Sequence, residues 1–252
     1  MPLTLVIANW KANKNQQEVI SWMDRFSSMA TESKNLQVVI CPAAIHFPLV
    51  KDLIQKHNFP STGSIGSPQA SSGQVPFQIS AGLQDLSAFP GGTYTGEVTG
   101  RMAEDLASYV ILGHSERRKW FKETVQQTAQ KVIQALDNNI IPVVSVTLEN
   151  FREVLGQFDD ETLSKIIIMY EPPEAISVQE GPVGKGNPAG IEDVEDMITI
   201  LHKLATATKI VYGGSVKSAN ITGFSSIQGL SGVVVGSASL DPDEFIKIIR
   251  QI

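Results

Sequence analysis

The sequence has almost no cysteine: Cys41 stands alone among 252 residues. That excludes an intramolecular disulfide and the zinc motifs built from several cysteines, and it points to a reducing, cytoplasmic setting. Long apolar runs are missing too. The first, Leu3–Ala8, is broken by Asn9 and Lys11 and follows no basic segment, so it reads as neither a signal peptide nor a membrane span. Nor is there a basic excess. Twenty Lys and Arg against 26 Asp and Glu give a formal charge of −6, which argues against general nucleic-acid or anionic-membrane binding. An anionic substrate would have to be held by local donors, against the field of the whole chain.

What is present is ordinary globular composition, 42% hydrophobic and 18% charged, enough for a large core without a metal staple. Short β-branched runs recur between longer amphipathic stretches. Strands are expected near Leu3–Asn9, Gln37–Cys41, Phe77–Leu83, Tyr109–Leu112, Ile141–Val146, Lys165–Tyr170, Lys209–Tyr212 and Gly232–Val235. These runs lack the alternation of a sheet with one wet face, which suits parallel strands covered on both sides. Helices are expected over Asn15–Glu32, Thr124–Asn138, Ile191–Ala207 and Pro242–Ile249, the last with Asp241 as N-cap. Eight units of about 31 residues match the βα repeat. The periodicity gives α/β; the count favours a single (β/α)8 TIM barrel over residues 1–252 against a doubly wound sheet. The Ser/Gly/Pro-rich stretch at 58–76 reads as a surface excursion within that domain.

In parallel α/β folds the chemistry sits at the carboxyl ends of strands. The first strand ends in Asn9-Trp10-Lys11, where Lys11, taken alone, is a rim residue satisfied by a carboxylate. The fourth runs into Gly113-His114-Ser115-Glu116-Arg117-Arg118. His114 stands out from His46, His57 and His202, which read as structural, by its place at a strand end. A helix N-terminus there would disfavour imidazolium. Glu116 with the two arginines is either a solvated charge run or an ion-pair network that fixes Lys11. The sixth strand delivers Glu171 before two prolines, either a general base at the edge of an apolar interior or a surface glutamate opening a loop. The seventh and eighth strands end in Gly213-Gly214-Ser215 and Gly236-Ser237. Glycine turns on these adjacent strands let backbone N–H groups approach an anion and favour phosphate, with Lys11 adding local positive potential.

Taken together, Asn9-Trp10-Lys11, Thr95-Gly96-Glu97, the GHSERR segment from Gly113, Tyr170-Glu171-Pro172, and Tyr212-Gly213-Gly214-Ser215 with Val235-Gly236 resemble the triosephosphate isomerase family over nearly the whole chain. The resemblance implies a cofactor-free, metal-free isomerase of glycolysis and gluconeogenesis that interconverts dihydroxyacetone phosphate and glyceraldehyde 3-phosphate. It implies Glu171 as base, neutral His114 as electrophile, and Lys11 and Asn9 stabilising an enediolate. Ser177, Gly214, Ser215, Gly236 and Ser237 would meet the phosphate, Glu116 would support the site, and Ile176 with Val234 would shield Glu171 from water. It further implies a homodimer in which the loop bearing Thr95 enters the second subunit. Three departures stand out. The lid opens Glu171-Pro172-Pro173-Glu174, similar to archaeal-type relatives, with Ser177 in place of a glycine. Ser237 replaces another glycine. The fifth strand ends Ser145-Val146-Thr147-Leu148 where Cys-x-Gly-Glu is usual, a site read here as supporting packing and the neighbouring catalytic loop, with an effect on efficiency or stability and not on reaction type. Two other readings are another phosphate-binding barrel and a non-catalytic binder of triose phosphates.

Overall fold

The computed structural model describes residues 3–30, 36–59, 77–172, 190–206 and 208–252. Eight strands are β1 (Leu5–Asn9), β2 (Gln37–Cys41), β3 (Gln78–Leu83), β4 (Tyr109–Leu112), β5 (Ile141–Val146), β6 (Ile167–Tyr170), β7 (Lys209–Tyr212) and β8 (Leu230–Val235). Each pairs in parallel with the next, and β8 pairs with β1, so the sheet closes in chain order. That last pairing decides for the (β/α)8 barrel over the open sheet. The described helices are α1 (Gln16–Met29), α2 (Phe47–Lys56), α3 (Gly100–Ala103), α4 (Ser115–Trp120), α5 (Val125–Leu136), α6 (Phe151–Leu155), α7 (Asp160–Lys165), α8 (Ile191–Leu204), α9 (Ile221–Ser225) and α10 (Pro242–Ile249).

The strands separate two cores. Alternate residues point inward, and Leu5, Ile7, Val39, Cys41, Ile111, Val143, Ile167, Met169, Val211 and Val234 fill the barrel. Their neighbours Val6, Ala8, Val38, Ile40, Val110, Val144, Ile168, Ile210 and Val233 point outward under the helices. Both sets are buried, which is why the runs show no polar alternation. Each Val, Leu, Ile or Met among them contributes about 1.5–3 kcal/mol by leaving water. Trp10 belongs to the outer set. It meets Trp22 of α1 edge-on at 4.8 Å, and Trp22 stacks on Phe26 and approaches Phe245 of α10. The chain's first and last helices are thus clamped over β1.

Helix starts follow their caps. Asn15 and Thr124 each close a capping box, with Glu18 and Gln127 respectively, and the Asp241 side chain accepts from the Asp243 N–H before α10. Several boundaries differ from expectation by one to three residues, β1 and β3 for example starting late at Leu5 and Gln78, and two of the differences have a local cause. Lys165 is not in the sixth strand: Asp159 caps a short helix, α7, that runs through it. The eighth strand begins at Leu230, two residues early, because a register shift opposite Ile210 and Val211 lengthens its pairing. Most of the 58–76 excursion, from residue 60, lies outside the described residues.

Candidate active site

The two-residue repeat of each strand selects what reaches the carboxyl-end mouth. Asn9 follows Leu5 and Ile7 on the inward set, Ser145 follows Val143, and Glu171 follows Ile167 and Met169. All three are buried polar residues in a largely apolar barrel.

The loop after β4 is shaped by its ends. Gly113 has φ +65, a backbone state that a β-carbon resists, and a β-carbon there would also press on Thr128. The turn places His114 at the N-cap of α4. Its Nδ1 accepts the Glu116 N–H at 3.2 Å, so the ring proton lies on Nε2, which faces Glu171 Oε1 at 3.0 Å. Arg118 folds back from the same helix and donates from Nη1 to the carbonyl oxygens of Gly113 and Ser145. Burial lowers its guanidinium, while the charges of Glu171, Glu123 and Glu149 act in the opposite direction.

Glu171 is 2% exposed and is no surface residue. Its backbone N–H donates to the Val146 carbonyl, extending the pairing with β5 by one step. Oε1 accepts from Ser115 Oγ at 2.8 Å, beside His114 Nε2. Oε2 accepts from the Ser115 N–H at 3.0 Å and from Ser145 Oγ at 2.6 Å. A carboxylate in a dry interior needs such donors to remain charged. Neither serine is marked in the sequence as a partner of this carboxylate. The inward register of Ser145 is the one available signal; Ser115 carries none beyond its place in the motif.

Lys11 sits one residue past the outward-facing Trp10, with φ 53. That left-handed backbone is held from both ends: its N–H donates to Asn9 Oδ1, and its carbonyl accepts from Gln84 Nε2, which also binds the Cys41 carbonyl. Gln84 therefore ties the ends of β1, β2 and β3, a role invisible in a lone glutamine. Lys11 Nζ pairs with Glu116 Oε1 at 2.6 Å, both side chains partly exposed. GHSERR is thus a network and not a solvated run: Glu116 holds Lys11, and Arg117 holds Asp85 and Glu123.

The seventh and eighth strand ends differ from these. A β-carbon at Gly213 would meet Met169, and one at Gly214 would collide with the Tyr212 ring, so both glycines answer first to packing. No helix opens directly on the turn after β7: α9 begins only at Ile221. After β8, a 3-10 turn Ser237–Leu240 follows Gly236 directly, and a β-carbon on Gly236 would lie 3.8 Å from Lys11 Cε. Gly214, Ser215 and Gly236 are half-buried and Ser237 exposed, with Val234 just below in the barrel. Thr95 lies in an exposed loop after β3 where Phe89 and Tyr94 stack at 4.4 Å. Ile176 and Ser177 lie outside the described residues. Among the described residues there is no His, Cys, Asp and Glu group suited to a metal ion, and no helix is long and apolar enough to cross a membrane.

A family model described as Triosephosphate isomerase matches residues 4–252. Three similar proteins carry that name. One, from Mesomycoplasma hyorhinis, is 32% identical over 99% of this chain and 98% of its own length. One from Mesomycoplasma hyopneumoniae (strain 7448) is 33% identical over 97% and 98%. One from Francisella tularensis subsp. mediasiatica (strain FSC147) is 29% identical over 98% and 96%.

Proposed function

The chain belongs to the triosephosphate isomerase family, and from that premise we propose that it interconverts dihydroxyacetone phosphate and D-glyceraldehyde 3-phosphate through an enediolate. The observation that carries this reading is the unbroken line of contacts Lys11–Glu116–His114–Glu171 across one mouth of the barrel. An ammonium, an imidazole donor and a carboxylate are what proton transfer next to a carbonyl requires, and no metal or organic cofactor is called for.

In this proposal the substrate carbonyl replaces Glu171 as acceptor of the His114 Nε2 proton. Glu171, freed from part of its donor set, removes the proton α to the carbonyl and returns it to the adjacent carbon. His114 meanwhile gives its Nε2 proton to the former carbonyl oxygen and takes up the hydroxyl proton from the other oxygen, so that both protons are accounted for. Lys11 and Asn9 stabilise the negative oxygen. The Lys11–Glu116 pair is partly exposed and so weakly held, which leaves Lys11 able to turn to a phosphate. Phosphate is assigned to the backbone N–H groups of Gly214, Ser215, Gly236 and Ser237, joined by Ser177, with Ile176 and Val234 covering Glu171. A homodimer formed through the Thr95 loop is part of the proposal. It is supported by the exposed apolar side chains Ile45, Phe89, Tyr94 and Met102. So are one domain over 1–252 and a cytoplasmic setting, where the buried thiol of Cys41 stays reduced.

A coupled assay of the purified chain on glyceraldehyde 3-phosphate tests the reading, and turnover is expected. Binding without turnover would select a non-catalytic triose phosphate binder. Neither binding nor turnover would leave some other phosphate-binding barrel.

A further inference from the structure

We propose that Ser145 is a positioning residue for Glu171, a proposal that rests on Glu171 being the base. Its side chain is fully buried at the inward-facing end of β5, and its Oγ is 2.6 Å from Glu171 Oε2. The direction of that bond is fixed by a third group. Arg118 Nη1 lies 3.3 Å from the Ser145 carbonyl oxygen and 3.5 Å from its Oγ. A guanidinium has no acceptor, so the hydroxyl presents a lone pair to Arg118 and its only proton goes to Glu171. Among the described residues, the remaining donors to the carboxylate come from His114 and Ser115, at the N-cap and first residue of α4. Ser145 alone holds it from β5, the strand next to its own.

This is where the chain departs from the Cys-x-Gly-Glu usual in the family. A thiol is a weak donor; a hydroxyl makes a short, charge-assisted bond to a carboxylate. The serine therefore holds one carboxylate oxygen of Glu171 by a short bond and fixes where it rests. Among the described residues, the charged or titratable groups facing the carboxylate and its donors are His114, Arg118 and, against the His114 ring at 3.7 Å, Glu116. β5 contributes the Ser145 side chain, and the pairing with β7 brings Gly213 alongside.

The test compares the full-length parent with Ser145→Ala and Ser145→Cys, the latter filling the volume if alanine impairs folding. For Ser145→Ala, kcat is expected to fall about three- to tenfold with KM within about twofold, and the acid limb of kcat/KM to move up by roughly half a pH unit or more. Ser145→Cys should fall between. The same shift should appear in a carbon-13 NMR titration of the Glu171 carboxyl, a reading that needs no turnover. A fall in kcat with an unmoved acid limb and an unmoved carboxyl titration, or no change in any of the three, would overturn the proposal and leave Ser145 as packing. An inactive parent would instead overturn the isomerase reading, while the NMR titration would still decide whether the serine governs the carboxylate.

Discussion

From β4 to β6 the mouth of the barrel is made of side chains that hold one another, whereas from β7 to β8 it is made of glycine and serine backbone. On the first side Glu171 has two serines and a histidine around it, His114 is pinned by the Glu116 N–H, and Arg118 spans two strand ends. On the second, Gly213 and Gly214 admit no side chain, and Gly214, Ser215, Gly236 and Ser237 are half-buried or exposed. The difference fits the chemistry proposed for each side. Moving a proton demands one geometry, so its groups need fixed partners. Holding a phosphate demands only close donors, and the backbone supplies those without burying a charge.

The side-chain half is most exposed to failure from beneath. Glu123, nearly fully buried, bonds Lys131 at 2.7 Å, Arg117 at 2.6 Å and Thr128. Burial alone raises its carboxyl, but Lys131 and Arg117 together outweigh that and hold it below its ordinary value. Asp85 shares both cations, yet there burial wins, with Glu123 adding repulsion, and its carboxyl is held above. A lowered acid stabilises the fold above its unfolded value, roughly 4.3, and that contribution is lost as pH falls through the folded value. Glu123→Gln is therefore expected to cost about 3 kcal/mol at pH 7, leaving Lys131 short of charge. The gap from the parent should narrow below pH 4. Urea unfolding at both pH values checks this; a constant gap would remove the network from the stability of this side.

Glu171→Gln comes next and bears on the proposed chemistry. Loss of the base is expected to lower kcat by at least roughly 100-fold with the fold retained. Steady-state kinetics alongside circular dichroism would show it, and near-parental turnover would end the assignment. On the backbone side, Gly214→Ala would push a β-carbon into Tyr212, for an expected loss of about 1–3 kcal/mol by thermal unfolding. Unchanged stability would mean that this turn can give way, and that its glycine answers to the ligand. Lys11 joins the two halves: it pairs with Glu116 across from β8 and lies beside Gly236. Lys11→Ala is expected to weaken inhibition by phosphate-mimicking anions about tenfold, the loss of one charged contact. Unchanged inhibition would assign anion attraction to the backbone alone.

The two halves also differ in how far they could be read from sequence. β2, β4, β5 and β7 fell where the apolar runs placed them, because strands buried on both faces have no competing pattern. α7 did not, since six polar-rich residues carry too little periodicity to compete with the apolar run beginning beside them. At the mouth, Lys11, His114 and Glu171 announced themselves as charged or titratable residues at strand ends. Ser115, Ser145 and Gln84 did not: serine and glutamine are common everywhere, and only register shows where they point. The glycines were legible as turns but not as packing requirements, because Met169 and the Tyr212 ring lie against them only once the strands are side by side.

The smallest expected effect sharpens the contrast most directly. Ser237 stands where the family resemblance calls for glycine, yet it is not among the described residues with positive φ. Its backbone is one that any residue adopts, its side chain is exposed, and its N–H survives substitution. If this half of the mouth works through backbone alone, Ser237→Gly should leave KM within about twofold and stability within roughly 0.5 kcal/mol. A large rise in KM would show that the hydroxyl itself takes part, and the β7–β8 side would then join the other half as a site built from side chains.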